Sequence, residues 1–170
     1  MMAGWIEMMA GNPAAAEQVL RKGCEVLREL GERGWLCGAV TVLARAVYAQ
    51  GRLDEAQQLT QEAEAITDAG DISEQVRWRL TRAKVLARRG RFRAARQLTG
   101  EAQVLAAPTS WPAMHAEVLI TQAEVSELAG AREEAADSLR TAIRIYEERQ
   151  ASALVGQTRA TLAVLLADSQ

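Results

Sequence analysis

The sequence predicts an all-α protein: antiparallel helical hairpins, about nine helices in all, repeating every ~40 residues. Three observations carry this reading. Four glycines, Gly11, Gly51, Gly90 and Gly130, recur with spacings of 40, 39 and 40 residues. Small residues stand at fixed distances from them. Apolar side chains between them recur at helical intervals, and no segment alternates apolar and polar residues long enough to read as a strand.

Around each glycine the frame is similar. Gly51-Arg-Leu-Asp-Glu-Ala56 matches Gly90-Arg-Phe-Arg-Ala-Ala95 and Gly130-Ala-Arg-Glu-Glu-Ala135, with Gly11-Asn-Pro-Ala-Ala-Ala16 as the weakest copy. Seven residues before each glycine stand Gly4, Ala44, Ala83 and Ala123. Seven after the frame's closing alanine stand Ala63, Ala102 and Ala142, with Gly23 in that place in the first copy. A small residue at a fixed place marks a close crossing of two helix backbones, which a larger side chain would push apart. The glycine ends the first helix of a hairpin because it takes the left-handed conformation at low cost.

Each helix follows from this frame. The first spans 2–10, with Gly4 inside it and Gly11 after it. The second spans 13–31, and Pro13 suits its first turn. The third, 35–50, carries Val40, Leu43, Ala44 and Val47 at i, i+3, i+4 and i+7. The fourth, 53–69, answers with Leu59, Ala63 and Ile66. The fifth, 73–89, has Asp71 or Ser73 available as a cap. The sixth spans 92–106, and a loop framed by Pro108 and Pro112 separates it from the seventh, 112–129. The eighth and ninth span 132–149 and 152–168. The 170 residues are read as one solenoid without an internal boundary.

Composition bounds the function. About half the residues are apolar, and the net charge is −2, which gives no global drive toward nucleic acid or membrane. No apolar run approaches the ~20 residues that span a bilayer. The first ten residues lack the basic stretch of a signal peptide. Cys24 and Cys37 are isolated from each other and from histidine, so free buried thiols in a reducing, cytoplasmic setting are expected. No metal or cofactor is expected.

The frame resembles the tetratricopeptide repeat, whose first helix holds a small residue, whose turn holds glycine and whose second helix holds two alanines. The matching residues are Ala44, Gly51, Ala56 and Ala63; Ala83, Gly90, Ala95 and Ala102; and Ala123, Gly130, Ala135 and Ala142. The period departs from that family's 34 residues. Thr60 and Thr99 stand where the family places bulky side chains. The resemblance implies a right-handed superhelix that holds proteins or peptides. The Ala- and Arg-rich phrasing, as in Val85-Leu-Ala-Arg-Arg-Gly-Arg-Phe92, is similar to the C-terminal repeat regions of bacterial, especially actinobacterial, multidomain signalling ATPase and nucleotide-cyclase regulators. No GxxxxGK[ST] loop is present. The chain opens and closes on first helices of hairpins, which reads as a piece of a larger protein.

No catalytic constellation is expected. His115 is the only histidine, and it lies at a helix start beside Pro112 and Met114. Carboxylates adjacent in sequence, such as Glu133 and Glu134, diverge on a helix and read as solvated faces. Of the tryptophans, Trp35 and Trp111 are expected to plug gaps between hairpins, while Trp78 is flanked by arginines that can stack on its ring.

Charge is the most informative feature. From Arg77 to Arg96 there are nine basic residues and no acid: Arg77, Arg79, Arg82, Lys84, Arg88, Arg89, Arg91, Arg93 and Arg96. Acidic segments flank this band. One reading pairs the bands across neighbouring hairpins; the other makes the basic band a patch that selects an acidic partner. By the resemblance, first helices line a partner-binding groove. This implies a surface of Arg45 and Tyr48, then Arg77, Lys84 and Arg88, then Glu117, Glu124 and Glu127. A protein or peptide, acidic where it meets the basic band, is therefore the expected partner. Nucleic acid at the Arg77–Arg96 band is the weaker alternative, because aromatic interleaving is missing. Self-association through the apolar C-terminal helix, with Leu162, Val164, Leu165 and Leu166, is a further alternative.

Overall fold

The structure, a computed structural model, describes residues 2–167. Among them run nine α-helices and no strand: α1 (Met2–Met9), α2 (Pro13–Glu29), α3 (Arg33–Ala49), α4 (Leu53–Ile66), α5 (Ile72–Arg88), α6 (Phe92–Ala106), α7 (Pro112–Leu128), α8 (Arg132–Glu148) and α9 (Ser152–Ala167). The expected helices are all present, with ends shifted by three residues at most. Residue 168, the expected end of α9, lies outside the described residues.

The turns explain the agreement. Gly11, Gly51, Gly90 and Gly130 all have φ between 72° and 79°. At each, two backbone bonds close the helix end, as in Gly51 N–H to the Tyr48 carbonyl and Arg52 N–H to the Val47 carbonyl. This double closure satisfies carbonyls that the helix end would otherwise leave without partners. Two further turns close in the same way. Gly31 ends α2, and Gln150, with φ 55°, ends α8 without the freedom of glycine. At the start of α5 the cap is Asp71, whose Oδ1 accepts from Glu74 N–H and from the Ser73 hydroxyl, both at 3.1 Å.

Packing divides the chain into two compact units, Met1–Val85 and Leu86–Gln170, with the division inside α5. In the first unit α1 packs on α2 and α3, α2 on α3, and α3 on α4. In the second, α6 packs on α7, α7 on α8 and α8 on α9. Of these pairs, all but α1 with α3 are chain neighbours, as hairpins require.

The small residues sit where the frame puts them. Ala44, Ala83 and Ala123 are buried, as are Ala56, Ala63, Ala95, Ala102, Ala135 and Ala142. Gly4 is the tightest crossing: a Cβ there would come within 2.5 Å of the Leu20 side chain. Gly23 breaks the pattern, since a Cβ there would meet nothing. The buried line of α2 is Ala16, Leu20 and Cys24 instead, so the first copy turns its second helix slightly away from the frame.

α3 and α7 are buried on most sides, and α5 combines a largely buried surface with many charged side chains. In these helices buried threonines bond their own backbone: Thr41 to the Cys37 carbonyl, Thr81 to Arg77 and Thr121 to Glu117. The hydroxyl is thus satisfied without a partner from another element. Thr60 and Thr99, where bulk was anticipated, are buried and bond the carbonyls of Gln57 and Arg96.

Candidate partner-binding surface

The fold neutralises part of the basic band and leaves part of it exposed. Arg77 Nη1 lies 2.7 Å from Glu74 Oε1, one turn back on α5. Arg79 Nη1 bonds the Gln75 carbonyl at 2.9 Å and its guanidinium lies 4.1 Å from the centre of the Trp78 ring. Arg82 reaches α4, where its Nε donates to Thr60 Oγ1, Nη2 to the Thr60 carbonyl and Nη1 to Glu64 Oε2. Its guanidinium also lies 4.5 Å from the Trp78 ring centre. Arg79 and Arg82 fall on faces that are apolar in the neighbouring repeats, and this is how they fit there. Each covers Trp78 with its charged plane and satisfies its N–H groups on backbone or acid. Trp78 is only 2% exposed. Its indole N–H, Glu74 Oε2 and Arg77 Nε are buried without a hydrogen-bond partner, which weighs against stability.

Lys84 lies in the first unit, and the rest of the band, from the end of α5 to the first turns of α6, lies in the second. Arg88, Arg91, Arg93 and Arg96 are exposed and Arg89 is half-buried. Arg96 meets Glu134 of α8 at 3.1 Å. Arg91 and Arg93 have no ion-pair partner among the described residues.

The surface implied by the repeat resemblance is distributed as follows. Arg45 and Tyr48 lie three residues apart on α3, both half-buried, and the Arg45 guanidinium stands 5.0 Å from the centre of the Trp5 ring on α1. Arg77 and Lys84 are half-buried on α5, and Arg88 is exposed at its end. Since Arg77 is engaged by Glu74, Arg88 is the exposed member of that trio. Glu117 and Glu124 are half-buried on α7 and Glu127 is exposed at its end, all three in the second unit.

Charge pairing between hairpins is extensive. Arg28 of α2 lies 2.6 Å from Glu62 of α4. Arg21 of α2 bridges Glu17 and Glu55, and Arg52 Nη2 lies 2.5 Å from Glu17 Oε1. Glu17 is thereby held down to about 2 by the hydrogen bond from Arg52, against the opposing effect of burial and with help from Gln50 and Arg21. Arg28–Glu62, Arg21–Glu55 and Arg52–Glu17 stand 34 to 35 residues apart, a little under one repeat, and that spacing is the signal by which such pairs can be found in the sequence.

Two tryptophan expectations are overturned. Trp35 is 62% exposed and Trp111 is 51% exposed. Both stand at or before the first turn of a helix, where the side chain leans back past the helix end and into solvent. Val26 and Leu30 are also more than half exposed, close to Trp35 in the chain. Of the four apolar side chains expected to form the surface of α9, Leu165 is buried against Ala123, Ala135, Ala136 and Leu139, with Leu162 packed beside it. Val164 and Leu166 stay exposed.

His115 Nε2 lies 3.1 Å from the Thr109 carbonyl and 3.2 Å from its hydroxyl, so it fastens the loop before α7. Cys24 and Cys37 are buried free thiols, and burial pushes both upward from their ordinary value. Among the described residues no group of three His, Cys, Asp or Glu side chains converges as metal ligands, and no helix is long and apolar enough to cross a membrane. No known protein family matches the chain, and neither does any curated protein.

Proposed function

We propose that this chain is a non-catalytic scaffold of the tetratricopeptide type that holds a protein or peptide, as an interaction or sensor region of a bacterial signalling regulator. The observation that carries the reading is the turn from α5 to α6, where Arg91 and Arg93 stand exposed and unpaired on an ordered frame. Arg21, Arg28, Arg52, Arg77, Arg82, Arg96, Arg140 and Arg159, by contrast, are each engaged by a carboxylate. Exposed arginine and tryptophan side chains are the residue types that anchor protein interfaces. The only histidine is engaged in fastening a loop.

The test is recovery of a protein partner by the immobilised full chain from cells of its source, followed by titration of the purified partner. A partner that binds directly at micromolar affinity or better is expected. Recovery of nothing beyond what an unrelated helical protein recovers would sink the scaffold reading.

Self-association is a second reading, favoured by the 62% exposure of Val164 on α9.

A further inference from the structure

We propose that the turn from α5 to α6 docks a short, carboxylate-rich segment of the partner, with Arg91 and Arg93 as its central clamps and Arg88 beside them. This rests on the scaffold reading and names the chemistry of what the scaffold holds.

The chain contains its own control. At the preceding copy of the same turn, after Gly51, the arginine following the glycine is Arg52. It lies 2.5 Å from Glu17 and 3.4 Å from Glu55, and Arg21 joins the same two acids. That network is closed. The copy after Gly90 keeps the cation and loses every acid. Arg91 stands in the place of Arg52, Arg93 in that of Asp54, Ala94 in that of Glu55 and Gln57 in that of Glu17. The copy after Gly130 has Ala131 in the place of the arginine and keeps acids in Glu133 and Glu134, with Arg132 between them and the alanine. Of these three turns, the middle one alone carries its arginines without an acid in the same frame. Its first helical turn even places Arg93 where the positive end of the α6 dipole disfavours a cation. The arrangement therefore works against local stability, and an external anion would relieve it.

The turn is also closed by its own backbone. Gly90 has φ 72°, and its N–H and that of Arg91 bond the carbonyls of Ala87 and Leu86, both at 2.9 Å. Side chains mounted on an ordered backbone lose less freedom on binding than those on a loop. Arginine in particular matches a carboxylate with two parallel N–H bonds.

Extent selects a short protein segment over a nucleic acid. Glu101 lies eight residues beyond Arg93 on α6, about 12 Å at ~1.5 Å per residue. Glu133 and Glu134 are exposed on α8, where Glu134 already meets Arg96. The second unit carries ten basic and ten acidic residues. A nucleic-acid strand, with a phosphate every ~3.4 Å, would extend from the arginines onto these carboxylates. A segment with a few carboxylates covers the arginines alone.

The experiment titrates the full chain with a dansyl-labelled octaglutamate peptide, using octaglutamine and a twelve-nucleotide oligothymidylate as comparisons. Octaglutamate is expected to bind at least tenfold more tightly than either. Arg91→Glu with Arg93→Glu should weaken it at least tenfold. Arg140→Glu with Arg144→Glu, the same charge change on the exposed face of α8, should leave it within twofold. The single variant Arg93→Asp, which restores the acid found after Gly51, should lose binding while its melting temperature holds or rises, so that unfolding cannot account for the loss. Equal or tighter binding of the oligothymidylate, or full binding by R91E/R93E, overturns the proposal. A purified protein partner that binds R91E/R93E as well as the unaltered chain overturns this inference and leaves the scaffold reading standing.

Discussion

Glu17 shows how one residue can hold two hairpins together. It accepts from Arg52, Gln50 and Arg21, and its folded-state value falls from 4.5 to about 2. Because the folded chain binds this proton only at lower pH than the unfolded chain, the stabilisation is whole above about pH 4.5. It is lost as the pH falls toward 2. Glu17→Gln should therefore lower stability near neutral pH and flatten the fall in stability between pH 4.5 and 2. Chemical denaturation across that range checks this, and parallel acid limbs for the two chains would show that the network contributes nothing. Arg82 and Trp78 show what the sequence leaves hidden. Periodicity assigns Arg82 to a face but cannot foresee that its fork finds Thr60 and Glu64 eighteen to twenty-two residues back. Nor does it say that Trp35 and Trp111, at helix starts, lean into solvent.

At the scale of the element, helix ends were legible because glycine at positive φ has a direct backbone cause. Gln150 is the exception: it makes the same double closure at φ 55° with a side chain attached. Gln150→Gly should relieve the left-handed strain of about 1–2 kcal/mol, offset by about 0.5–1 kcal/mol of extra unfolded-chain freedom. A net gain of a few tenths to ~1 kcal/mol is expected by thermal or denaturant unfolding, and a loss would mean that the Gln150 side chain holds the turn. Helix crossings were legible for the same kind of reason, since only a small side chain fits. Ala83 is fully buried on α5, so Ala83→Leu should cost roughly 1–3 kcal/mol by overpacking, and an unchanged melting curve would deny the close crossing. Gly23 was misplaced because a small residue fits anywhere, and only its neighbours reveal that the space beside it is open. In the candidate surface the arginine band was visible as composition. Which arginines are engaged depended on acids at unrelated distances along the chain: Glu74 three residues from Arg77, Glu64 eighteen from Arg82 and Glu134 thirty-eight from Arg96.

For the molecule as a whole, the question is whether α9 joins a second copy. The buried stripe of α9 runs through Thr158 and Leu165, with Leu162 between them, and it faces α8. Val164 and Leu166 lie on either side of that stripe, about 200° apart on the helix at ~100° per residue, so one helix from a partner covers only one of them. The two sides differ. Leu166 shares its side with Arg159, which is engaged at 2.5 Å by Glu147 of α8. Val164 shares its side with Ala153, Ala160 and Ala167, at intervals of eleven, four and three residues, and all four are exposed. A smooth alanine face lets another helix approach closely, and the arginine side does not. Self-association through α9 is therefore expected to use the Val164 side. Val164→Glu should return a monomer in sedimentation at high concentration, while Leu166→Glu should leave association as it was. Neither change should lower helicity, because both side chains point away from the core. If Leu166→Glu breaks the association and Val164→Glu does not, the contact lies on the arginine side. If neither has an effect on an associating chain, α9 is not where the copies meet.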